Sequence, residues 1–151
     1  ELKNNDIPVL VQRVHSLPRY QNEDFDHPYK LPAKLAEKGV LVGLEGSGRM
    51  ERMNSRNIPF YAGTTAGYGL TKEQALQLIT YNTAKIVGIE DDYGSLEKGK
   101  SATLIISEGD ALDMQGNKLT RAFINGRDIS LESHQTQLYH KFKEKYAKQD
   151  E

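Results

Sequence analysis

The sequence predicts an α/β fold in which strand–helix units come first, antiparallel strands follow and a helix ends the chain. Two short segments rich in β-branched residues, 7–11 and 40–44, flank a helical segment, and this strand–helix–strand order is typical of parallel pairing. Beyond Gly88 the apolar spacing changes from the helical period to short strands separated by turns. Residues 131–148 then return to helical spacing.

The composition is compatible with a globular chain and argues against several classes of partner. The 151 residues weigh 17.0 kDa and are 37% apolar, which is enough for a core. A net charge of −1 creates no field that would attract nucleic acid or an anionic bilayer. No apolar run approaches the roughly 18 residues of a spanning helix, and residues 1–5 lack the layout of a signal peptide. We therefore expect a soluble chain that binds neither nucleic acid nor membrane, in a compartment the sequence does not specify.

The first strand–helix unit can be followed residue by residue. Residues 7–11 are predicted to form a buried strand, and the polar residues 12–28 the long loop that follows it. A helix is predicted for residues 29–38, with Pro32 in its first turn, where the missing N–H would have had no partner. Residues 40–44 then form the second strand.

The next segment is predicted to be mostly helical. Residues 45–57 are expected to be a loop and residues 58–69 a helix whose small side chains permit close packing. Another helix starts at Thr71, because Thr71 and Gln74 fit the capping box, in which the two side chains satisfy two backbone donors. We expect this helix to be buried through one apolar face, and a second short turn to follow it. The face comprises Ala75, Leu76, Leu78 and Ile79, and the second turn carries Ala84, Ile86 and Val87.

The remaining elements are predicted to be antiparallel strands and a peripheral helix. Strands are expected at residues 103–107 and 119–124, and the Asn125-Gly126 dipeptide is a strong hairpin signal with residues 127–129 as the returning strand. The last segment is predicted to be an amphipathic helix with a frayed end. Its apolar side chains are Leu138, Tyr139, Phe142 and Tyr146.

Two motifs in the middle of the chain carry a resemblance to a known family. Residues 71–88 read T-x-E-x-A-L-x-x-I-T-x-N-x-A-K-I-x-G, and residues 94–105 read G-S-L-E-x-G-K-x-A-T-L-I. They resemble the C-terminal end of metal-dependent amidohydrolases, and imidazolonepropionase-like members in particular. The likeness extends over about residues 8–126.

The resemblance implies a division of the chain and a longer polypeptide. Residues 1–90 would be the last strand–helix units of a (β/α)8 TIM barrel, residues 91–130 the C-terminal part of a small β-sandwich, and residues 131–151 an amphipathic tail helix. Such a barrel takes roughly 250 residues by itself. A partial barrel exposes strand edges and apolar helix faces, so we expect self-association or pairing with the missing N-terminal part.

The chemistry implied by the resemblance is hydrolysis of an amide-type C–N bond, often in a ring, by a metal-bound hydroxide. The His-x-His pair and the later Lys and His ligands of that family are absent here. The chain has no cysteine, and its histidines are not spaced for a metal pair: His15, His27, His134 and His140. We expect a divalent metal such as zinc, and a small-molecule substrate, in the longer parent protein. We expect no metal in these residues, which should be inactive alone. The alternative is a metal-free binding or scaffold module derived from the same fold.

The candidate catalytic residue is Glu45. In the family, an Asp that ligates the metal and shuttles the proton follows the last barrel strand, here residues 40–44. This sequence reads E-G-S-G-R at residues 45–49, with no Asp. Glu45 would take over the role in one interpretation, and in the other, which we favour, it is a solvated loop carboxylate.

Three further residues are candidates for substrate binding. His15 and Arg13 follow the first strand, at the face where barrel enzymes place their sites, although a lone loop His is more often a surface or hydrogen-bonded residue. Arg56 either binds a substrate carboxylate bidentately or, together with Asn57, caps and anchors the next helix, and we favour anchoring. Arg56 belongs to an arginine-rich loop that also contains Arg49 and Arg52.

Overall fold

A computed structural model of the chain describes residues 1–48 and 50–147, so Arg49 and Lys148 lie outside the described residues. The strands are Val9–Val11 (β1), Val42–Leu44 (β2), Leu104–Ser107 (β3), Leu119–Ile124 (β4) and Arg127–Ile129 (β5). The α-helices are His27–Glu37 (α1), Ile58–Gly67 (α2), Lys72–Ile79 (α3), Tyr81–Val87 (α4) and His134–Ala147 (α5). Short 3₁₀ helices occupy Lys3–Asn5 and Glu51–Asn57, the second within the segment expected to be a loop. The predicted α/β class is confirmed.

The first two strands pair in parallel, as the strand–helix–strand order predicts. Leu10 lies opposite Gly43 in this pair. Both strands are two residues shorter than expected, because their first residues are used by the preceding turns. The Ile7 amide donates to the Leu2 carbonyl (2.9 Å), and the Val40 amide donates to the Leu35 carbonyl at the end of α1 (3.1 Å).

Helix α1 begins two residues earlier than predicted, which changes the role of its second proline. Pro28 occupies the first turn, and Asp26, just before the helix, pairs with Lys30 across that turn (2.6 Å). The expectation that Pro32 lies in the first turn is therefore wrong, since it sits in the helix interior. There its missing N–H leaves a helical carbonyl without its usual donor. Pro32 is fully buried and fills space in the core instead.

The capping box at the start of α3 is present. The Thr71 hydroxyl accepts from the Gln74 amide (3.2 Å), and the Gln74 side chain accepts from the Thr71 amide (2.9 Å). Ala75 and Leu78 are buried, but Leu76 is 38% exposed, so the predicted apolar face was too wide. Positions 75 and 78 lie on one side of a helix and position 76 turns away from both.

Helix α4 is held closely against β2. The Asn82 side-chain amide donates to the Val42 carbonyl (2.9 Å). Gly43 makes the approach possible, because a Cβ at this position would lie 2.6 Å from the Thr83 hydroxyl and 2.9 Å from the Leu10 side chain. The motif residue Asn82 and its neighbour Thr83 thus contact the parallel pair directly.

The main core lies between the parallel pair and helices α1 to α3. Both strands and all three helices contribute, and Leu112 reaches it from the segment between β3 and β4. Its buried members are Val11, Val14, Ala33, Val40, Val42, Leu44, Ala62, Leu70, Ala75, Leu78 and Leu112.

Strands β3, β4 and β5 form an antiparallel sheet, as predicted. Asn125 and Gly126 make the hairpin turn with φ of +49° and +78°. The Asn125 side-chain oxygen accepts from the Ser101 hydroxyl (2.6 Å), which fixes the turn to the preceding segment. Within the described residues, no second antiparallel sheet packs on this one. The second layer of the expected β-sandwich therefore stays a prediction.

The second motif forms a closed polar cluster. The Lys100 ammonium donates to the Glu90 carbonyl (2.5 Å) and to the Ser95 hydroxyl (2.8 Å), and it pairs with Glu97 (3.4 Å). Ser95 donates to Glu97 (2.5 Å), and this bond, together with Lys100, lowers the pKa of the Glu97 carboxyl. We infer that these charges stabilise the turn.

Helix α5 presents its aromatic side chains to solvent. Tyr139 is 60% exposed and Tyr146 56% exposed, and their rings carry lysine ammonium groups 5.7 Å from the centroids. Within residues 1–48 and 50–147, no helix combines the length and the apolar character needed to cross a bilayer.

Candidate functional site

A polar cavity opens at the carboxyl ends of β1 and β2. The parallel register brings the residues that follow the two strands to the same edge. The Glu45 amide extends the ladder by donating to the Val11 carbonyl (3.1 Å). The cavity has a volume of about 130 Å³ and is lined by Gln12, Arg13, His15, Glu45, Gly46, Asn54, Ile58 and Tyr61. Three of the four predicted site residues, Arg13, His15 and Glu45, therefore lie together.

Glu45 is half-buried, and one oxygen of its carboxylate already accepts hydrogen bonds. One oxygen, Oε2, accepts from the Ser47 amide (3.1 Å) and from the Ser47 hydroxyl. Gln12 joins the two loops by donating to the Ser47 carbonyl (2.5 Å). These bonds fix the carboxylate at the cavity edge, where it could accept a proton from a bound molecule.

His15 contacts helix α2 through a hydrogen bond and one aromatic ring, and helix α1 through a second ring. Its Nε2 lies 2.6 Å from the Thr64 hydroxyl oxygen. The Tyr61 ring meets the imidazole edge-on at 4.7 Å between centroids, and the Tyr29 ring lies 5.5 Å away. Partial burial among these groups lowers the pKa of His15 below its usual value of 6.5. The imidazole is therefore neutral at pH 7.

The two arginines predicted to bind substrate lie in different places. Arg13 lines the cavity. Arg56 is exposed on the 3₁₀ helix Glu51–Asn57 and lines neither this cavity nor the larger one described next. Asn57 occupies the N-cap of α2, but its side chain makes no capping hydrogen bond. The structure thus separates Arg56 from the other candidates, and its role stays a prediction.

A larger, shallower cavity of about 620 Å³ lies on the other side of His15. It runs between α2 and the segment joining β3 to β4, and Lys72 and Asp110 pair at its rim (2.6 Å). The hydrogen bond from Lys72 lowers the pKa of the Asp110 carboxyl. Gly63 permits this packing, because a Cβ there would collide with the Leu112 carbonyl oxygen.

Several site residues were not singled out from the sequence. Gln12 could have been, because it directly follows β1 at the same edge as Glu45. Tyr61 and Thr64 are three positions apart in α2, a spacing that places them on one helix face. That this face meets His15 depends on a contact across 49 positions, which the local pattern does not reveal.

The residues present do not fit a complete metal centre. Within the described ranges, no three His, Cys, Asp or Glu side chains are grouped so that they could hold a metal ion. His15 and Glu45 line one cavity. However, His15 Nε2 is hydrogen-bonded to Thr64, and the Glu45 carboxylate accepts a hydrogen bond from Ser47. Any metal of this site would need ligands from other polypeptide.

Comparison with known proteins identifies the family. The profile of the amidohydrolase family matches residues 35–130, which is more than half of the chain. The chain belongs to the amidohydrolase family. The resemblance inferred from the two motifs is therefore confirmed at the level of the family.

Two curated relatives share part of this amidohydrolase sequence. An imidazolonepropionase of Flavobacterium psychrophilum is 29% identical over 109 residues, covering 68% of this chain and 26% of the relative. A 5-methylthioadenosine/S-adenosylhomocysteine deaminase of Teredinibacter turnerae is 33% identical over 92 residues, covering 55% of this chain and 21% of the relative. The amidohydrolase chain therefore spans about a quarter of the length of these curated relatives.

Solved structures agree with the family assignment. An amidohydrolase from Thermotoga maritima superimposes with a TM-score of 0.69 at 30% identity, covering 85% of this chain and 33% of that one. An uncharacterised protein superimposes with a TM-score of 0.56 at 19% identity, covering 72% of this chain and 28% of that one, and shows the fold alone.

Proposed function

We propose that these residues are the C-terminal portion of a longer amidohydrolase, the parent, which hydrolyses a non-peptide C–N bond of the cyclic amide type with a metal-activated water. Residues 1–90 would provide its last strand–helix units, residues 91–130 the end of its β-sandwich, and residues 131–151 its tail helix. The metal ligands would come from polypeptide outside this chain.

The observation that carries the proposal is the position of the polar cavity. It opens at the carboxyl ends of two parallel strands, which is where barrel enzymes place their reactive groups. The chain covers 33% of the amidohydrolase structure on which it superimposes, so two strands are a plausible share of one barrel. The likeness to an imidazolonepropionase favours a ring amide as the substrate.

The residues of this chain would form one wall of the reactive centre. Glu45 would accept a proton at its second carboxylate oxygen, because the first, Oε2, accepts from Ser47. Arg13 and His15 would contact the substrate from the cavity wall. Arg56 would bind a substrate carboxylate only if its side chain reached the cavity that Asn54 of the same 3₁₀ helix lines.

Assays of the parent test this proposal. The complete protein, loaded with zinc or another divalent metal, should open a panel of cyclic amides, and chelation should abolish turnover. Failure of the metal-loaded parent to hydrolyse any cyclic amide or related C–N bond would overturn it.

A second candidate is a metal-free binding or scaffold module. It is favoured by the sequence after β2, where a Glu stands in place of the Asp of the family pattern. The preceding polypeptide distinguishes the two. A His-x-His motif with later Lys and His ligands supports the enzyme, and their absence supports the scaffold.

A further inference from the structure

We propose that Thr64 is a positioning residue that fixes His15 as the Nε2–H tautomer, so that Nδ1 presents a lone pair to a hydrogen-bond donor on the substrate, such as a ring N–H. The substrate in this inference comes from the proposed function. The tautomer of His15 is inferred separately, from the geometry of α2.

The first step concerns the single hydrogen of the Thr64 hydroxyl. Thr64 lies inside α2, and its hydroxyl donates to the Phe60 carbonyl one turn earlier (2.9 Å). This bond is a common one for threonine in a helix. Because a hydroxyl has one hydrogen and two lone pairs, the oxygen is left only its acceptor role toward other groups.

The second step concerns the imidazole. Nε2 lies 2.6 Å from the same hydroxyl oxygen, a hydrogen-bond distance that requires one of the two atoms to donate. With the Thr64 hydrogen on Phe60, Nε2 must carry the proton. In a neutral imidazole the other nitrogen then has none, so Nδ1 can only accept.

The third step concerns what Nδ1 can bind. Within residues 1–48 and 50–147, the His15 side chain makes one hydrogen bond, which joins Nε2 to Thr64 and leaves Nδ1 without a partner. Tyr61 contacts the ring edge-on and Tyr29 contacts it at a tilt, so both hold its position. The pKa of His15, lowered by partial burial, favours the neutral ring at pH 7, in keeping with an acceptor role. A substrate N–H or O–H would satisfy Nδ1, whereas a carboxylate would not.

Side-chain NMR of the parent, labelled with ¹⁵N at histidine, tests the tautomer directly. The His15 signals are assigned by their loss in His15→Ala. At a pH above the His15 titration, Nδ1 should show the shift of a bare nitrogen and Nε2 that of a protonated one. Thr64→Val removes the hydroxyl and should abolish this preference, while Thr64→Ser should restore it. A bare Nε2 in the wild-type protein, or an unchanged tautomer in Thr64→Val, would overturn the inference.

The functional half has a separate readout. Thr64→Val should lower kcat/KM of the parent by roughly three- to tenfold, the effect of one neutral hydrogen bond, and Thr64→Ser should recover most of it. Equal rates in all three proteins would overturn the role of Thr64 in positioning His15. The NMR measurement of the tautomer does not require turnover. An inactive parent would therefore count against the proposed function, while the NMR result alone would decide the tautomer.

Discussion

At the scale of single residues, the neutral state of His15 is the property that can be measured most simply. Its pKa lies below 6.5 in the folded chain because neighbouring side chains shield part of the ring from water. The unfolded chain therefore takes up the proton at a higher pH than the folded one. The stability contributed by this residue is complete above pH 6.5 and is lost as the pH falls through the folded pKa.

An NMR titration of the His15 ring protons should accordingly give a midpoint below 6.5 in the folded protein. Tyr61→Leu, which removes the ring in edge-on contact, should bring the midpoint closer to 6.5. A midpoint at or above 6.5 in the wild-type chain would contradict the desolvation that we describe.

Glu45 allows the catalytic and the structural interpretations to be separated. Glu45→Gln keeps an oxygen that can accept from Ser47 but removes the proton acceptor. We expect kcat of the parent to fall by roughly 10²-fold or more, as for a general base, with little change in thermal stability. Glu45→Asp is the control, because it retains the carboxylate. Full activity in Glu45→Gln would show that this carboxylate is a solvated loop residue.

The site residues that follow strands could be predicted from the sequence, whereas those on a helix could not. Arg13, His15 and Glu45 could be found because parallel strands bring their carboxyl ends to one edge. Thr64 could not be found this way, because its role depends on which face of α2 meets His15. The role of Arg56 stays a prediction, because Arg56 does not line the cavity although Asn54 of the same 3₁₀ helix does.

At the scale of elements, the contact between α2 and the segment joining β3 to β4 can be tested with two glycines of one helix. A Cβ at Gly63 would collide with the Leu112 carbonyl oxygen, whereas a Cβ at Gly67 would meet no atom within 4 Å. Gly63→Ala should lower the free energy of unfolding by about 1–3 kcal/mol, the usual cost of overpacking. Gly67→Ala should be neutral or stabilising by up to about 1 kcal/mol, since alanine favours the helix.

Thermal or urea unfolding of the two variants beside the wild type measures the difference. Equal stability of Gly63→Ala and Gly67→Ala would mean that the Leu112 segment does not pack against α2 as described.

Sequence patterns predicted correctly the elements that are determined by neighbouring residues. The capping box at Thr71 and the Asn125-Gly126 turn depend on neighbouring residues alone, and both are present. The starts of β1 and β2 were placed two residues too early, because hydrogen bonds to the preceding turns, such as the one from Val40 to Leu35, compete with strand pairing. Leu76 was assigned to the buried face of α3 with its apolar neighbours, although the helix turns it toward solvent.

At the scale of the whole molecule, apolar side chains are exposed that the remaining polypeptide of the proposed barrel would cover. Leu17 and Phe25, in the loop after β1, are 88% and 80% exposed. The pair of β1 and β2 also has unpaired outer edges within the described residues. Such edges and apolar patches promote association.

We therefore expect sedimentation of residues 1–151 to show association that increases with concentration. The double variant Leu138→Gln and Phe142→Gln is the control, because these residues lie on α5, beyond the matched residues 35–130. Association should persist in it if the barrel edges are responsible. A monomer at high concentration, or loss of association in the α5 variant, would contradict this expectation.

The central claim is that these residues complete a reactive centre built mainly by other polypeptide, and complementation tests it most directly. Residues 1–151 would be produced separately from the preceding part of the parent, and each would be assayed with a divalent metal and a cyclic amide, alone and after mixing. We expect turnover from the mixture and none from either part alone. Metal-dependent turnover by residues 1–151 alone would contradict the claim.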